Sequence, residues 1–356
     1  MTVFAVPPDT VPSGGNTYDR RLAEALTQLG RPVHRRELPG AWPRPGPEGT
    51  AALQHLLAAQ PDGAAVLLDG LVACGVPQVL HPHAARLHLA VIVHLPLAEG
   101  AHDPAEAAEL DTLERAALEC ARTVVATSGW AARHLARRHG LELPAVVVPG
   151  TDPAPAAAPG DGSRLLCVAS LSRHKGHEVL LEALASAADL PWSCVCAGPD
   201  GGLSASLSGS GGSRASLLRE QARRLGIGGR VSFPGTLTPA ALEDAYAGAD
   251  LFVLPTHGET YGMVITEALA RGLPVLTSRV GGVPEALGRD REGSLPGMLV
   301  PPGDPAALAR ELRRWLTDGR LRARLRRSAL LRREDLTGWE EAARETAALL
   351  DREETR

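Results

Sequence analysis

The stretch LFVLPTHGETYGMVITEALARGLPVLTSR, residues 251–279, decides the fold class. Its opening run LFVLPT and its closing run PVLTSR are short, apolar and typical of buried strands. We expect a helix between them that starts near Thr260, with Gly262 in its first turn and Glu267 about two turns in. A strand, a helix and a second strand in succession form the unit of a parallel sheet covered by helices.

The same alternation of short apolar runs and helical patterns continues along most of the chain. Nine further runs are predicted as strands: 3–8, 64–70, 87–96, 123–128, 145–150, 164–170, 192–198, 230–235 and 297–302. We therefore predict an α/β fold of two Rossmann-like domains, whose parallel sheets face each other across a cleft. In such open sheets, ligands bind at the carboxyl ends of the strands.

The domain boundaries follow from length and composition. With 356 residues the chain is too long for one ordinary core, so two domains are expected. The Pro-, Ala- and Gly-rich segment 153–163 is predicted to link a first domain, 1–152, to a second domain, 164–336. We expect the final helix, within 337–356, to pack back on the first domain. The Gly- and Ser-rich segment 198–216 is predicted to be a surface loop.

Composition and charge exclude several classes of protein. A formal net charge of -4 argues against a nucleic-acid-binding protein, which is expected to be strongly basic. Five cysteines in no zinc-binding spacing indicate small buried thiols in a reducing compartment. No apolar run reaches the ~18 residues of a membrane helix, and no leader peptide opens the chain. We expect a cytoplasmic protein without a metal site, and nothing indicates a peripheral membrane contact.

Lys175 is the only lysine in the chain, since every other residue among the 37 Lys and Arg is Arg. It lies in RLLCVASLSRHKGHEVLLEAL (164–184), where the pattern predicts a strand, a short loop with Arg173 and Lys175, and a helix. A compact ammonium on a flexible stem can follow phosphate oxygens as a point charge, whereas a planar guanidinium needs a fixed fork geometry. We therefore expect Lys175 to pair with a diphosphate. The alternative is that Lys175 is an ordinary surface charge, but the fact that it is the only lysine argues against this alternative.

Two glutamates, Glu259 and Glu267, flank Gly262 in the opening stretch. A glycine at the start of a helix lets a ligand approach the backbone, and the N–H groups of a first turn suit a phosphate. Carboxylates on either side of a phosphate site can accept hydrogen bonds from sugar hydroxyls. Glu267 also faces the same side of the helix as Met263. This geometry suits a ligand with a sugar at each end of a diphosphate; two solvated glutamates are the alternative.

At these residues the chain resembles the retaining glycosyltransferases of family 4 (glycosyl transferases group 1), which have the two-domain GT-B fold. The likeness covers most of the chain and is strongest over 164–303, where the Glu-x7-Glu spacing is similar to the family signature. It implies that Glu259 holds hydroxyls of the donor sugar, that Glu267 binds the nucleotide ribose and that Lys175 neutralises the diphosphate. Further donor contacts are implied for the residues between the glutamates: Tyr261, Gly262, Met263 and Val264.

The first domain shows a weaker likeness. Gly14 and Gly15, expected between the first strand and a helix over 16–29, are similar to the family's glycine loop, where small residues admit sugar and phosphate. They do not form G-x-G-x-x-G, which argues against a dinucleotide dehydrogenase. His94, at the carboxyl end of a predicted strand, matches the family's cleft histidine. The resemblance implies that His94 and Glu259 are catalytic.

Two positions depart from the family pattern. Ser170 stands where an Arg is common, and Arg173, three residues later, is a candidate to take over the phosphate contact. Leu95 follows His94 where an Asp is frequent, so the acceptor contacts cannot be assigned from the resemblance at this position.

Together these features predict an enzyme that moves a sugar from a nucleotide diphosphate sugar to an acceptor, with retention of the anomeric configuration. No pattern distinguishes a small-molecule, glycan or lipid acceptor. We expect no cofactor or metal, since Lys175, Arg173 and a helix N-terminus can stabilise the leaving diphosphate. A nucleotide-sugar epimerase, a phosphorylase and a non-catalytic nucleotide-sugar-binding protein remain alternatives. A hydrolase is disfavoured, because Glu259 and Glu267 are not expected to oppose each other across one bond.

Overall fold

The computed structural model describes residues 2–10, 12–101, 103–201 and 213–351 of the chain. The described residues of Met1–Gly150 and Thr337–Arg356 form one compact unit, and those of Thr151–Leu336 form a second. Within the described residues each unit contains a six-stranded parallel sheet with helices packed on it. The predicted α/β class with two Rossmann-like parallel sheets is therefore confirmed.

The first unit is built on the strands β1 (Thr2–Val6), β2 (Val33–Glu37), β3 (Ala65–Asp69), β4 (His88–Val93), β5 (Thr123–Ala126) and β6 (Ala145–Val146). They pair in parallel in the order β2-β1-β3-β4-β5-β6. Its helices are α1 (Gly14–Gln28), α2 (Gly46–Ala58), α3 (Gly70–Cys74), α4 (Pro77–Leu80), α5 (Pro104–Glu119), α6 (Gly129–His139) and α14 (Trp339–Leu350).

The second unit is built on the strands β7 (Arg164–Val168), β8 (Ser193–Ala197), β9 (Val231–Gly235), β10 (Leu251–Leu254), β11 (Val275–Ser278) and β12 (Gly297–Val300). They pair in parallel in the order β9-β8-β7-β10-β11-β12. Its helices are α7 (His177–Ala185), α8 (Arg214–Arg224), α9 (Pro239–Ala247), α10 (Met263–Ala270), α11 (Val283–Leu287), α12 (Pro305–Thr317) and α13 (Gly319–Arg333).

Each sheet has a point at which its strand order reverses. In the first sheet the chain passes from β1 outward to β2 and returns to place β3 on the other side of β1. In the second sheet it passes from β7 outward to β8 and β9, and β10 returns to the other side of β7. Ligands of open α/β sheets bind beside the carboxyl ends of the strands at such a reversal. The loops that follow β7 and β10, and the residues after β1 and β3, are therefore the places where function is expected.

One strand, β2, is missing from the sequence prediction. Its sequence VHRRE is polar, and it lies at the edge of the first sheet, where β1 is its partner. Central strands such as β3 and β4 are almost completely buried and form continuous apolar runs, whereas an edge strand has one side in water. Hydrophobic pattern therefore identifies the central strands and misses this edge.

The predicted start of the first helix and the predicted end of the Gly- and Ser-rich loop are wrong. The first helix begins at Gly14 rather than near residue 16, because the Ser13 hydroxyl accepts the N–H of Asn16 at 3.1 Å and caps the helix earlier. Gly14 and Gly15 therefore lie in its first turn and not before it. The predicted loop 198–216 ends at Ser213, which caps α8. Residues 202–212 of that loop lie outside the described residues.

The segment 153–163 contains no helix or strand and is held against the second unit. Ala157 donates its backbone N–H to the carbonyl of Arg271 at 2.9 Å, and the Trp315 indole donates to the carbonyl of Gly162 at 2.8 Å. These contacts make the segment part of the second unit's surface.

All five cysteines are free thiols, and Cys74, Cys167, Cys194 and Cys196 are buried. This matches the expectation of small apolar side chains in the cores. Among the described helices, none has both the length and the apolar character needed to cross a bilayer.

The final helix, α14, packs on the first unit through Trp339. The Trp339 side chain is 7% exposed and meets Tyr18 of α1 edge to face, with ring centroids 5.7 Å apart. Tyr18 is also buried and donates its hydroxyl to the carbonyl of Val147 at 3.2 Å. Gly150 lies so close to α14 that a Cβ there would be 2.4 Å from the backbone nitrogen of Trp339. These contacts join the C-terminal helix to the first unit.

We predict that Trp339→Ala lowers the free energy of unfolding by about 3–5 kcal/mol, because it removes a large buried aromatic and leaves a cavity beside Tyr18. Chemical denaturation followed by fluorescence measures the change. Leu143→Ala is the matched control, since Leu143 belongs to the same unit and is 66% exposed. It is expected to change stability by about 0.5 kcal/mol or less. Equal effects of the two variants would contradict the anchoring role of Trp339.

Candidate functional site

In the second unit, an ion pair joins the loops that follow β7 and β10. The Nζ atom of Lys175 lies 2.5 Å from Oε1 of Glu259, and the side chains are 26% and 12% exposed. The residues are 84 positions apart in sequence, and they meet because β7 and β10 are neighbouring parallel strands. The only lysine of the chain and the first glutamate of the Glu-x7-Glu pattern thus share one place, at the reversal of the strand order.

Backbone contacts hold the two loops together. Lys175 ends a short 3-10 turn, Arg173–Lys175, that precedes α7. In this turn the carbonyl of His174 accepts the N–H of His257 at 2.7 Å and the hydroxyl of Thr256 at 3.0 Å. Gly176 adopts a left-handed conformation, and a Cβ there would lie 2.0 Å from the carbonyl oxygen of Pro255. The approach that brings Lys175 to Glu259 therefore requires glycine at residue 176.

A second glycine fixes the loop of Glu259 from the other side. The carbonyl of Glu259 accepts the N–H of Gly282 at 2.9 Å. Gly281, with φ of 56°, packs against the same carbonyl, and a Cβ there would lie 1.9 Å from its oxygen. The segment 280–287, which contains both glycines, thus positions the backbone of Glu259.

The helix of the Glu-x7-Glu stretch starts later than predicted. α10 begins at Met263, and Gly262 precedes it with φ of 101°, a left-handed value that cannot belong to a helical turn. The prediction that Gly262 lies in the first turn is therefore wrong, and Glu267 lies little more than one turn into the helix. Among the described residues no side chain caps this helix end. Met263 and Val264 are half-buried and supply the first two N–H groups.

Glu267 is half-buried and receives the hydroxyl of Tyr246 on Oε2 at 3.0 Å. Burial raises the pKa of Glu267, while the bond from Tyr246 and the charge of Arg271 oppose the shift. Arg271 stacks over the Tyr246 ring at 4.3 Å and donates to the Glu267 carbonyl at 2.9 Å. Glu267 is therefore held by a tyrosine and an arginine that the sequence analysis did not identify.

The remaining predicted donor residues differ in exposure. Tyr261 is 7% exposed, and burial raises its pKa to about 12. Arg173 is exposed and lines a shallow pocket of about 350 Å³ with His174, Glu178 and His257. Ser170 is half-buried before this turn. Arg173 thus belongs to the same 3-10 turn as Lys175, three residues after Ser170, the position at which the family commonly has an arginine.

In the first unit, His94 follows β4 and contacts two carboxylates. Its Nε2 atom lies 2.7 Å from Oδ1 of Asp19 and 3.6 Å from Oδ2 of Asp69. Asp19 lies on α1 and Asp69 ends β3, so three elements meet at this point. A Cβ at Gly15 would lie 3.1 Å from the His94 ring, so the glycine-containing first turn of α1 also packs on the histidine.

The two aspartates are buried, with 0% and 1% of their surface exposed. Burial is the main cause that raises the pKa of Asp19 to about 7 and the pKa of Asp69 well above its usual value. Burial also lowers the pKa of His94, against the attraction of Asp69. The sequence analysis identified His94 but missed both carboxylates. For Asp69 a signal existed, because it ends a predicted strand at the same sheet edge as His94.

The sequence profile of glycosyl transferases group 1 matches residues 151–332, just over half of the chain. The chain belongs to this family. The profile covers the Lys175–Glu259 pair, both flanking glycines and α10, so the family identity rests on the unit that holds this cluster.

Two comparisons extend the likeness to the rest of the chain. The D-inositol 3-phosphate glycosyltransferase of Streptomyces bingchenggensis is 33% identical over 284 residues, which cover 73% of this chain and 58% of the relative. Sucrose-phosphate synthase from Thermosynechococcus elongatus superimposes with a TM-score of 0.80 at 22% identity, over 98% of this chain and 97% of that one.

Another solved structure, HepE of Anabaena in complex with UDP-glucose, gives a TM-score of 0.71 at 20% identity, over 98% of each chain. At such identities the structural similarity shows a shared fold, and it agrees with the predicted GT-B architecture. The chain spans less than two thirds of the length of the curated relatives, 58% of the one above and 29% of the homologous enzyme of Streptomyces avermitilis.

We predict that Gly281→Ala destabilises the second unit and displaces Glu259. Two causes act together: the alanine must adopt a left-handed backbone conformation, and its Cβ overlaps the Glu259 carbonyl. Gly293→Ala is the matched control, since Gly293 has φ of 81° and no atom within 4 Å of the added Cβ. The free energy of unfolding of the control should fall only by the cost of the strained backbone, about 1–2 kcal/mol. Gly281→Ala should lose about 1–3 kcal/mol more. Denaturant unfolding of both variants measures this difference, and equal losses would contradict the close approach.

Proposed function

We propose that this protein transfers a sugar from a nucleoside diphosphate sugar to an acceptor hydroxyl, with retention of the anomeric configuration. The observation that carries the proposal is the Lys175–Glu259 pair at the reversal of the second sheet, in a member of the glycosyl transferases group 1 family. HepE, which shares the fold, was solved with UDP-glucose, and this supports a nucleotide sugar as the donor.

The main catalytic demand is to stabilise the negative charge of the leaving diphosphate. The Lys175 ammonium supplies a full positive charge on a side chain that is largely shielded from water. The N–H groups of Met263 and Val264, at the uncapped start of α10, supply further donors and the positive end of a helix dipole. Arg173 lies in the same 3-10 turn as Lys175 and is proposed as a further contact to the phosphates. These groups suffice for the charge, so we propose that the reaction needs no metal or cofactor.

Glu259 acts as the counterion of Lys175 until the donor binds. When the diphosphate takes the ammonium, the carboxylate of Glu259 is left to accept hydrogen bonds from hydroxyls of the donor sugar. This exchange keeps the Lys175 charge paired in both states, and the hydroxyls of the sugar replace the ammonium as hydrogen-bond donors to Glu259, which is important because a partly buried charge without partners is costly. It also ties the position of the sugar to that of the diphosphate.

Glu267 is proposed to bind the ribose hydroxyls. The bond from Tyr246 engages Oε2 and fixes the side chain, so Oε1 is the oxygen offered to the nucleoside. Tyr261 is proposed to support the loop between the two glutamates from its buried position.

His94 is proposed to orient the donor sugar or the acceptor hydroxyl. Retention follows if the acceptor attacks from the face that the phosphate leaves. Membership of retaining family 4, a cytoplasmic location and an acceptor that is a small molecule, a glycan or a lipid also remain predictions from the sequence.

Transfer itself is tested by incubating the protein with a nucleotide sugar, with and without candidate acceptors, and following the released nucleotide and the anomeric proton of the product by NMR. Acceptor-dependent release with an unchanged anomeric configuration supports the proposal. Release that requires inorganic phosphate indicates a phosphorylase, and interconversion of the donor alone indicates an epimerase. Binding without turnover of any acceptor indicates a nucleotide-sugar-binding protein.

We predict that Lys175→Ala weakens nucleoside diphosphate binding by about 1.5–3 kcal/mol, the contribution of a hydrogen bond to a charged group. Calorimetric titration of UDP, GDP and ADP measures the loss and identifies the base. Arg291→Ala is the control, because it also breaks an ion pair of the second unit, the exposed pair with Glu334. It should bind like the wild type. Equal affinity of wild type and Lys175→Ala would refute the role of the lysine.

A further inference from the structure

The carboxylates behind His94 form a cluster that the transfer reaction described above does not use. Asp19 comes from α1, Asp69 from the end of β3, and His94 from the residue after β4. One oxygen of each carboxylate and one ring nitrogen of His94 lie within 4.8 Å of one another. Both carboxylates are shielded from water, so it is costly for both of them to be ionised at once.

The hydrogen bonds of the two carboxylates account for one oxygen of each. Oδ1 of Asp69 accepts the N–H of Leu71 at 2.5 Å, and Oδ1 of Asp19 lies 2.7 Å from Nε2 of His94. The other oxygens, Oδ2 of Asp19 and Oδ2 of Asp69, are buried and have no hydrogen-bond partner among the described residues. A buried polar atom without a partner is costly, and two adjacent buried carboxylates cannot both ionise without a large penalty.

We propose that Asp19 and Asp69 share one proton between their Oδ2 atoms, and that this singly charged pair holds His94 as the Nε2–H tautomer. One O–H···O bond then satisfies both orphaned oxygens, and the remaining charge accepts the Nε2–H of His94 through Asp19. Both aspartates are positioning residues, because neither is proposed to touch the substrate. Their value for transfer depends on the proposed function of His94; the shared proton itself does not.

Burial influences the pKa values of Asp19 and Asp69 more than the charged groups around them do. Arg35 of β2 favours the charged form of Asp19, and Asp9, after β1, disfavours it. From α3, Cys74 is a buried thiol whose own pKa is raised, with Glu114 of α5 and Asp69 contributing after burial. The Tyr18 ring stands edge-on to His94 at 5.0 Å.

The direction of each shift agrees with a shared proton. The pKa of both aspartates is raised, chiefly by burial, and their mutual hydrogen bond raises that of Asp69 while it lowers that of Asp19. Both shifts favour a protonated carboxyl in the pair, and a single proton between the two Oδ2 atoms leaves Oδ1 of Asp19 as the acceptor for His94. The pKa of His94 is lowered by burial, which favours the neutral ring, and the 2.7 Å contact of Nε2 with Oδ1 of Asp19 then places the ring proton on Nε2.

The first test compares the thermal unfolding of wild type and Asp69→Asn between pH 5 and pH 8.5. An amide N–H replaces the shared proton and does not titrate. In the wild type the folded pair keeps a proton that an unfolded Asp, with a pKa of about 3.9, has lost. The folded state then binds more protons, so stability is lost as pH rises through the raised pKa. The midpoint of wild type should fall relative to that of Asp69→Asn by about 2–4 °C or more towards pH 8.5.

Asp62→Asn is the matched control, because Asp62 belongs to the same unit and its side chain is 83% exposed. Its midpoint should follow that of wild type at every pH. Parallel curves for wild type and Asp69→Asn would overturn the shared proton. A lower wild-type midpoint after treatment with EDTA would also overturn it, since a divalent cation would then occupy the place of the proton.

The second test does not require that a variant of Asp19 or Asp69 folds. In the full chain labelled with 15N-histidine, the His94 signals are assigned by their loss in His94→Gln. The proposal predicts the Nε2–H tautomer from pH 6 to pH 8. The Nδ1–H tautomer or an imidazolium in this range would overturn it. Neither test uses a donor or an acceptor, so failure here leaves sugar transfer untouched, and failure of transfer leaves the shared proton untouched.

Discussion

The second unit depends on one constraint: the loops after two neighbouring parallel strands must touch backbone to backbone. β7 and β10 lie side by side where the strand order reverses, and Gly176 removes the side chain that would separate their loops. Gly281 removes another on the far side of Glu259. The result is a partly buried ammonium–carboxylate pair between Lys175 and Glu259. Sheet topology, glycine positions and charge therefore lead to one site, and the family profile covers it.

The first unit also has a cluster of charged groups at the carboxyl ends of its strands, but there carboxylates outnumber cations. Here a histidine and two buried carboxylates converge from α1, β3 and β4, and burial shifts every pKa of the group towards the neutral form. On our proposals, the second unit supplies a cation for the leaving diphosphate, and the first unit holds a neutral imidazole in one tautomer. The two clusters would then serve different steps, charge stabilisation and the orientation of hydroxyl groups.

Much of this could be predicted from the sequence, and what could not has a physical reason. Apolar runs gave the buried strands, but β2 is polar at a sheet edge and carries no such signal. The single lysine and the Glu-x7-Glu spacing marked Lys175 and Glu259 as site residues, yet their ion pair spans 84 positions and depends on the strand order. Gly262 was placed inside a helix because spacing does not show a left-handed φ. Asp19 was missed because its contact with His94 arises from tertiary packing between α1 and the end of β4, which no local pattern encodes.

A crystal structure of the wild type with the nucleoside diphosphate that it binds tests the account most directly. We expect a β-phosphate oxygen about 3 Å from Nζ of Lys175, the distance of a charged hydrogen bond, with Glu259 moved away from the ammonium. The Lys175–Glu259 contact of the unliganded protein would thus have been exchanged for the ligand. A complex in which that contact is unchanged and the diphosphate lies elsewhere would contradict the account.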